Sequence, residues 1–121
     1  MENEVAEFVA QLLHSGTIAH FFHLSTESYA EHKALQKYYE EVIDLTDNFA
    51  ESYMGKYGQI KKWPDEFHNG SDAVDYFERL QKFVEEARST LPDDTELQNA
   101  VDSIAELINS TVYKLKFLRK P

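Results

Sequence analysis

The amino-acid sequence predicts an all-α protein, a single four-helix bundle that covers residues 1–121. Apolar side chains recur at helical spacing in four successive segments. Hydrophobic residues make up 42% of the chain and include 8 Phe, which is enough apolar material for one core. The 4 Gly and 3 Pro fall near the ends of the helical patterns and are too few for the turns of an all-β chain.

The first predicted helix covers about residues 2–24. Its apolar positions are Val5, Phe8, Val9, Leu12, Leu13, Ile18, Phe21 and Phe22. A short break follows, in which Ser28 with Glu31 fits the capping box of a new helix. Because the break is short, the first two helices are expected to form an antiparallel hairpin.

The second helix is predicted over about residues 27–57, and Gly55 and Gly58 bracket its end. Its expected core stripe consists of Leu35, Tyr38, Val42, Leu45, Phe49 and Tyr53. A connection of about fifteen residues follows, over 59–71, which is long for adjacent helices. It is expected either to run along the bundle as a crossover or to cap one end.

The third helix is predicted to start at a Ser71-Asp72 cap and to end at about Leu91. The fourth helix is expected to begin after Pro92, with Asp93 and Glu96 as its cap. The inward residues of the third helix are predicted to be Val74, Phe77, Leu80, Val84 and Ala87. The fourth helix carries apolar residues at Leu97, Val101, Ile104, Leu107, Ile108, Val112, Leu115 and Leu118. The cations that suit a helix C-terminus are Lys114, Lys116, Arg119 and Lys120.

Composition excludes several classes of function. The net charge of −10 argues against general DNA or RNA binding, because phosphate contacts need clustered Lys and Arg. The absence of Cys excludes disulfides and thiolate metal sites. The N-terminus is acidic where a signal peptide is basic, and no apolar run approaches the ~20 residues that span a bilayer. A cytoplasmic protein without membrane contact is therefore expected.

Histidines are concentrated in the first third of the chain, at His14, His20, His23 and His32. In a hairpin that turns near residue 26, His20 and His32 lie at similar heights on facing helices, where their side chains can meet. His23 lies one turn from His20 on nearly the same face and is a further candidate ligand. His14 is interpreted as structural, as is His68.

The second helix adds carboxylates to this set. Gln36, Asp47 and Glu51 project within an arc of about 100° from His32. Asp47 and Glu51 are spaced i, i+4, which allows both carboxylates to hold one cation. Imidazole with carboxylate suits iron, manganese or zinc. Gln36 is a further candidate ligand on the same face.

One chain is not expected to complete this site, because His32 and Asp47 are separated by roughly 22 Å along a straight helix. Two copies of the second helix that pair antiparallel about residues 40–41 set His32 of one chain opposite Asp47 and Glu51 of the other. The two-fold operation makes two such sites. The pattern therefore predicts a homodimer or a higher homo-oligomer.

The spacing of His20, His32, Asp47 and Glu51 resembles the ferroxidase signature of Dps, the ferritin-like DNA-protection proteins. The resemblance implies a ferritin-like bundle, with His20 and His32 as imidazole ligands of iron and Asp47 and Glu51 as carboxylate ligands from a symmetry mate. Oxidation of iron(II) is the implied reaction. The chain departs from Dps at Gln36, where Dps proteins carry an Asp ligand, and it has no Lys-rich N-terminal arm.

The stretch from His20 to Gly58 is similar to an uncharacterised family of small ferritin-like proteins of tailed bacteriophages. That resemblance implies a location in the host cytoplasm and no particular activity. The alternative function is that of a non-enzymatic phage accessory protein, an acidic helical oligomer that binds a host protein. A further alternative is a degenerate ferritin-like bundle, in which hydrogen bonds between His and carboxylate groups across the dimer satisfy the polar residues without metal.

Overall fold

The computed structural model describes residues 1–118, and these residues form four α-helices. They are α1 (Glu2–Ser25), α2 (Tyr29–Tyr57), α3 (Ala73–Ala87) and α4 (Thr95–Phe117), with a 3-10 turn at Arg88–Thr90. No strand occurs within 1–118. The predicted all-α four-helix bundle is confirmed.

Side-chain caps define two of the helix starts as the sequence predicts. The backbone N–H of Glu31 donates to Ser28 Oγ over 3.2 Å, and the N–H of Asp75 donates to Asp72 Oδ2 over 2.9 Å. Each bond satisfies one of the N–H groups that a first helical turn leaves without a partner.

The predicted junction between the third and fourth helices was wrong in two details. α3 ends at Ala87, short of Leu91, because the chain tightens into the 3-10 turn. The residue that precedes α4 is Asp94, not Asp93, and its side chain forms no cap bond. The Asp94 carboxylate instead accepts hydrogen bonds from Lys56 and Tyr57 at the end of α2.

The packing of the helices places α2 and α3 diagonally across the bundle. α1 and α4 each pack against both α2 and α3. Phe8 near the start of α1 stacks on Phe83 near the end of α3, and Phe22 near the end of α1 contacts Tyr76 near the start of α3. α1 is thus antiparallel to α3 and, through its short turn, to α2. Consequently α2 and α3 run in the same direction.

The connection 58–72 therefore passes along the length of the bundle, beside α1. At its beginning, the N–H of Lys61 donates to the carboxylate of Glu2 over 3.3 Å. Farther along, Phe67 stacks on His14 with ring centroids 4.7 Å apart. Of the two paths that the sequence left open, the chain takes the crossover.

The core fills the space between the four helices. Its largest fully buried side chains include Phe8, Leu12, Leu35, Tyr38, Phe49, Phe77, Leu97, Ile104, Ile108 and Leu115. Three of the apolar residues in the predicted helical patterns are exposed, namely Leu13, Phe21 and Leu118, at 38%, 60% and 48%. α1 is apolar over more than one face, so its periodicity alone does not separate core from surface.

Two other predictions concern the basic residues near the C-terminus and the absence of a membrane-spanning helix. Lys114 and Lys116 lie in the last turn of α4, as expected. Arg119 and Lys120 lie outside the described residues. None of the helices within 1–118 is long and apolar enough to cross a bilayer.

Candidate functional site

Three histidines and a tyrosine form one cluster at the hairpin end of α1 and α2. The rings of His23 and His32 stack with centroids 3.6 Å apart and planes 21° apart. His20 meets His23 edge-on at 5.8 Å and stacks on Tyr39 at 4.1 Å. His20 and His32, which the sequence predicts to meet, each contact His23, and no ring contact between the two themselves occurs among residues 1–118.

The register of the hairpin explains why His23, rather than His20, lies level with His32. Thr26 and Ser28 both have extended backbone conformations between the helices. The turn is therefore wider than that of a hairpin symmetric about residue 26. Each residue of α1 consequently lies opposite a residue farther along α2 than that symmetry predicts. His20 accordingly stacks on Tyr39, two turns beyond His32.

Two reciprocal hydrogen bonds fix the stacked pair. His23 Nδ1 lies 2.7 Å from the carbonyl oxygen of His32, and His32 Nδ1 lies 2.9 Å from the carbonyl oxygen of His23. A carbonyl oxygen only accepts, so each Nδ1 carries the proton and donates. In the neutral ring, Nε2 then holds a free lone pair, as a metal ligand requires.

The backbone context gives these bonds a structural role as well. The carbonyl of His23 is in the last turn of α1, where helical carbonyls lack an intrahelical partner. The His32 ring supplies that partner, and an imidazole is favourable at the negative end of the helix dipole. The pair therefore ties the end of α1 to the first turns of α2.

The predicted carboxylate ligands lie elsewhere on α2. Asp47 and Glu51 are both exposed, and neither carboxylate forms a hydrogen bond or ion pair with any residue of the described part of the chain. α2 is uninterrupted from residue 29 to 57, so the separation of roughly 22 Å between His32 and Asp47 holds in the folded chain. Gln36 Nε2 donates to Glu40 over 3.3 Å.

A single chain does not assemble the predicted site. Among residues 1–118, no group of three or more histidine, aspartate or glutamate side chains is arranged to hold a metal ion. The sequence predicts ligands from two chains, His20 and His32 from one and Asp47 and Glu51 from the other. Their convergence stays a prediction.

The outer surface of the hairpin carries apolar side chains beside these polar ones. We call it the α1–α2 face, and it consists of Leu13, His20, Leu24, Tyr29, Ile43, Asp47 and Glu51. At ~100° per residue, the α1 members form one stripe and the α2 members another. Leu24 and Tyr29 are 70% and 77% exposed. Helical periodicity did not reveal this face, because the apolar positions of α1 surround more than one side of the helix.

Comparison with known proteins shows the family of the chain. Residues 23–115 match a family described as a family of unknown function (DUF5856), and the chain belongs to it. The match begins at His23 and includes His32, Asp47 and Glu51.

One relative is a phage protein. The chain is 28% identical over 114 residues to an uncharacterised 14.6 kDa protein in the mobD-ri intergenic region of Enterobacteria phage T4, covering 93% of this chain and 84% of the relative. No solved structure matches the chain.

Proposed function

We propose that this chain is a ferritin-like metal-binding protein whose sites form between two copies paired through the α1–α2 face. The observation that carries the proposal is the 2.9 Å hydrogen bond between His32 Nδ1 and the His23 carbonyl, which requires a proton on Nδ1 and leaves Nε2 free to bind a metal. The crossover between α2 and α3 supports a ferritin-like bundle, since that class has one long crossover.

The pairing of copies follows from positions on α2. An antiparallel pair centred at residues 40–41 sets the imidazole of His32 against the exposed carboxylates of Asp47 and Glu51 of the second copy. Ile43, half of whose surface is exposed at 49%, lies close to the two-fold axis and is covered in the pair. Apolar contact thus forms at the centre and the polar ligands meet on both sides of it.

Iron(II) is the proposed substrate of the site. His20 and His32 hold it from one chain, while Asp47 and Glu51 hold it from the other and Glu51 can bridge to a second ion. Oxidation by oxygen or peroxide is the reaction expected if the site turns over. Zinc or manganese fits the same nitrogen and oxygen ligands. His23 and Gln36 are the neighbouring groups able to modulate binding.

Metal titration tests the proposal. Anaerobic titration of the wild type with Fe(II), and separately with Zn(II), is expected to show saturable binding. The double variant Asp47→Asn, Glu51→Gln removes the carboxylate charge and is expected to lose that binding. Glu106→Gln, an exposed carboxylate on α4, is the matched control and leaves binding unchanged. Absence of saturable binding in the wild type overturns the proposal.

A mixing experiment tests whether the site is shared between chains. His32→Ala protein and the double variant Asp47→Ala, Glu51→Ala are each expected to bind no metal. After they exchange subunits, a mixed dimer has one intact site, so random exchange restores about a quarter of the wild-type sites. If no binding is recovered although native mass spectrometry shows that mixed dimers have formed, the site is not shared between chains.

A non-enzymatic accessory protein is the second candidate. The phage T4 relative supports it, and so does the net charge of −10, which offers an acidic surface to a host protein in the host cytoplasm. A stoichiometric host protein that is retained by the variant lacking all four of His20, His32, Asp47 and Glu51 favours this function. Light scattering of the purified protein also distinguishes a homodimer from a higher homo-oligomer.

A further inference from the structure

The geometry of the histidine cluster points to His23 as a positioning residue for His32, not as a second ligand to the same ion. This inference rests on the proposed metal site and deepens it. His23 is buried, at 7% exposure, whereas His32 is half-buried at the edge of the cluster. The two side chains therefore face different surroundings although their rings are in contact.

Ring geometry separates the two roles. The lone pair of Nε2 lies in the plane of its imidazole, and a bound metal lies close to that plane about 2.0–2.1 Å from the nitrogen. The planes of His23 and His32 are only 21° apart and the rings are stacked at 3.6 Å. Nearly parallel stacked planes do not meet at a point that both nitrogens can reach, so one ion cannot be bound in-plane by both rings.

His23 acts on His32 through three contacts. Its ring stacks on that of His32, its Nδ1–H donates to the His32 carbonyl, and its own carbonyl accepts the Nδ1–H of His32. The third contact fixes the tautomer of His32, but it is made by the backbone of His23 and is kept when the side chain is replaced. The first two contacts are made by the side chain, and they hold the His32 ring within hydrogen-bonding distance of that carbonyl. Groups that orient a metal ligand in this way typically change affinity 10–100-fold when they are removed.

The test compares three substitutions at position 23. His23→Asn keeps an N–H donor close to the place of Nδ1, and His23→Gln moves the amide to the place of Nε2. His23→Leu removes the donor altogether. His14→Leu is the control, because His14 stacks on Phe67 of the connection and lies outside the cluster. Circular dichroism establishes which variants are folded.

The first measurement needs no metal. Imidazole ¹⁵N shifts, recorded where the rings are neutral, are expected to show the Nδ1–H tautomer of His32 in the wild type, His14→Leu and His23→Asn. In His23→Leu and His23→Gln, a mixture of tautomers is expected. If His23→Leu fails to fold, the contrast between Asn and Gln decides. An unchanged His32 spectrum in every folded variant overturns the inference.

The second measurement is Zn(II) affinity. His23→Leu is expected to weaken binding about 10–100-fold with the same number of sites, and His23→Asn is expected to restore most of the loss. If X-ray absorption of the zinc-loaded protein shows one imidazole fewer in His23→Leu, His23 is a ligand and the inference is wrong.

The two measurements separate the inference from the metal site. If the wild type binds no metal, the metal proposal fails. The tautomer measurement still tests whether His23 positions His32. A change in the His32 tautomer in His23→Leu or His23→Gln supports that role, and an unchanged tautomer overturns it.

Discussion

The hydroxyl oxygens of Ser15 and Tyr38 lie 2.6 Å apart in the core between α1 and α2. Ser15 Oγ also lies 2.6 Å from the carbonyl oxygen of Leu12 and donates to it, so the hydroxyl of Tyr38 must donate to Ser15. Burial raises the pKa of the Tyr38 hydroxyl far above its usual range, which keeps the phenol neutral. The pair joins the two helices that carry the histidine cluster.

Substitutions at these two positions are expected to have unequal costs. Ser15→Ala leaves the buried Tyr38 hydroxyl without an acceptor, which should lower the free energy of unfolding by about 1–3 kcal/mol. Tyr38→Phe removes the donor, while Ser15 keeps its bond to Leu12, so a loss of about 1 kcal/mol is expected. Urea denaturation measures both. A larger cost for Tyr38→Phe than for Ser15→Ala contradicts this account.

The buried side chain of Gln11 holds the crossover connection to α1. Its Nε2 donates to the carbonyl of Glu66 over 3.0 Å, and its Oε1 accepts from the N–H of His68 over 2.9 Å. Gln11→Leu removes both bonds, so the connection should detach from α1 more often. Faster proteolysis between residues 58 and 72 is expected, with α-helical circular dichroism unchanged.

The exposed Gln59, in the same connection, provides the control for that experiment. Gln59→Leu is expected to leave the proteolysis rate close to that of the wild type. If Gln11→Leu is cleaved no faster than Gln59→Leu, the two bonds do not hold the connection.

The ion pair between Lys56 and Asp94 predicts a pH dependence. Hydrogen bonds from Lys56 and then Tyr57 lower the pKa of the Asp94 carboxyl below its usual range. A group whose pKa is lowered by folding stabilises the protein above its unfolded pKa, about 3.9 for Asp, and that stability is lost as the pH falls through the folded pKa. Asp94→Asn should therefore lower Tm at neutral pH and make progressively less difference below pH of about 4.

Thermal unfolding across acidic and neutral pH measures this difference. Asp93→Asn is the matched control, because Asp93 is the adjacent exposed carboxylate without those bonds. A Tm difference between wild type and Asp94→Asn that grows as the pH falls would have the wrong sign for this mechanism.

The sequence predicts the fold well where local chemistry decides it. Helical periodicity defines four helices, and the oxygens of Ser28 and Asp72 cap α2 and α3 as their residue types indicate. The predicted start of α4 was wrong because the Asp94 side chain forms an ion pair with Lys56, which is distant in sequence. No local pattern reveals that pairing.

The candidate site was predictable in part for the same reason. The spacing of the histidines in α1 and α2 predicts that they lie together at the hairpin. The choice of rings that contact each other depends on the extended residues between the helices. A shift of one turn replaces His20 with His23 as the ring stacked on His32. The carboxylates at Asp47 and Glu51 depend on a second chain, which one sequence specifies only through symmetry.

The last prediction concerns the two glycines at the end of α2, where substitution by Ala should have opposite effects on stability. Gly55 lies within the helix, and a Cβ added there meets no atom within 4 Å. Gly55→Ala should therefore raise the free energy of unfolding by about 0.5–1 kcal/mol through higher helix propensity. Gly58 ends the helix with φ of +107°, which L residues rarely adopt. Gly58→Ala should therefore lower the free energy of unfolding by about 1 kcal/mol or more. Urea denaturation of the two variants in parallel measures the contrast, and equal effects at the two positions would show that α2 does not end at Gly58.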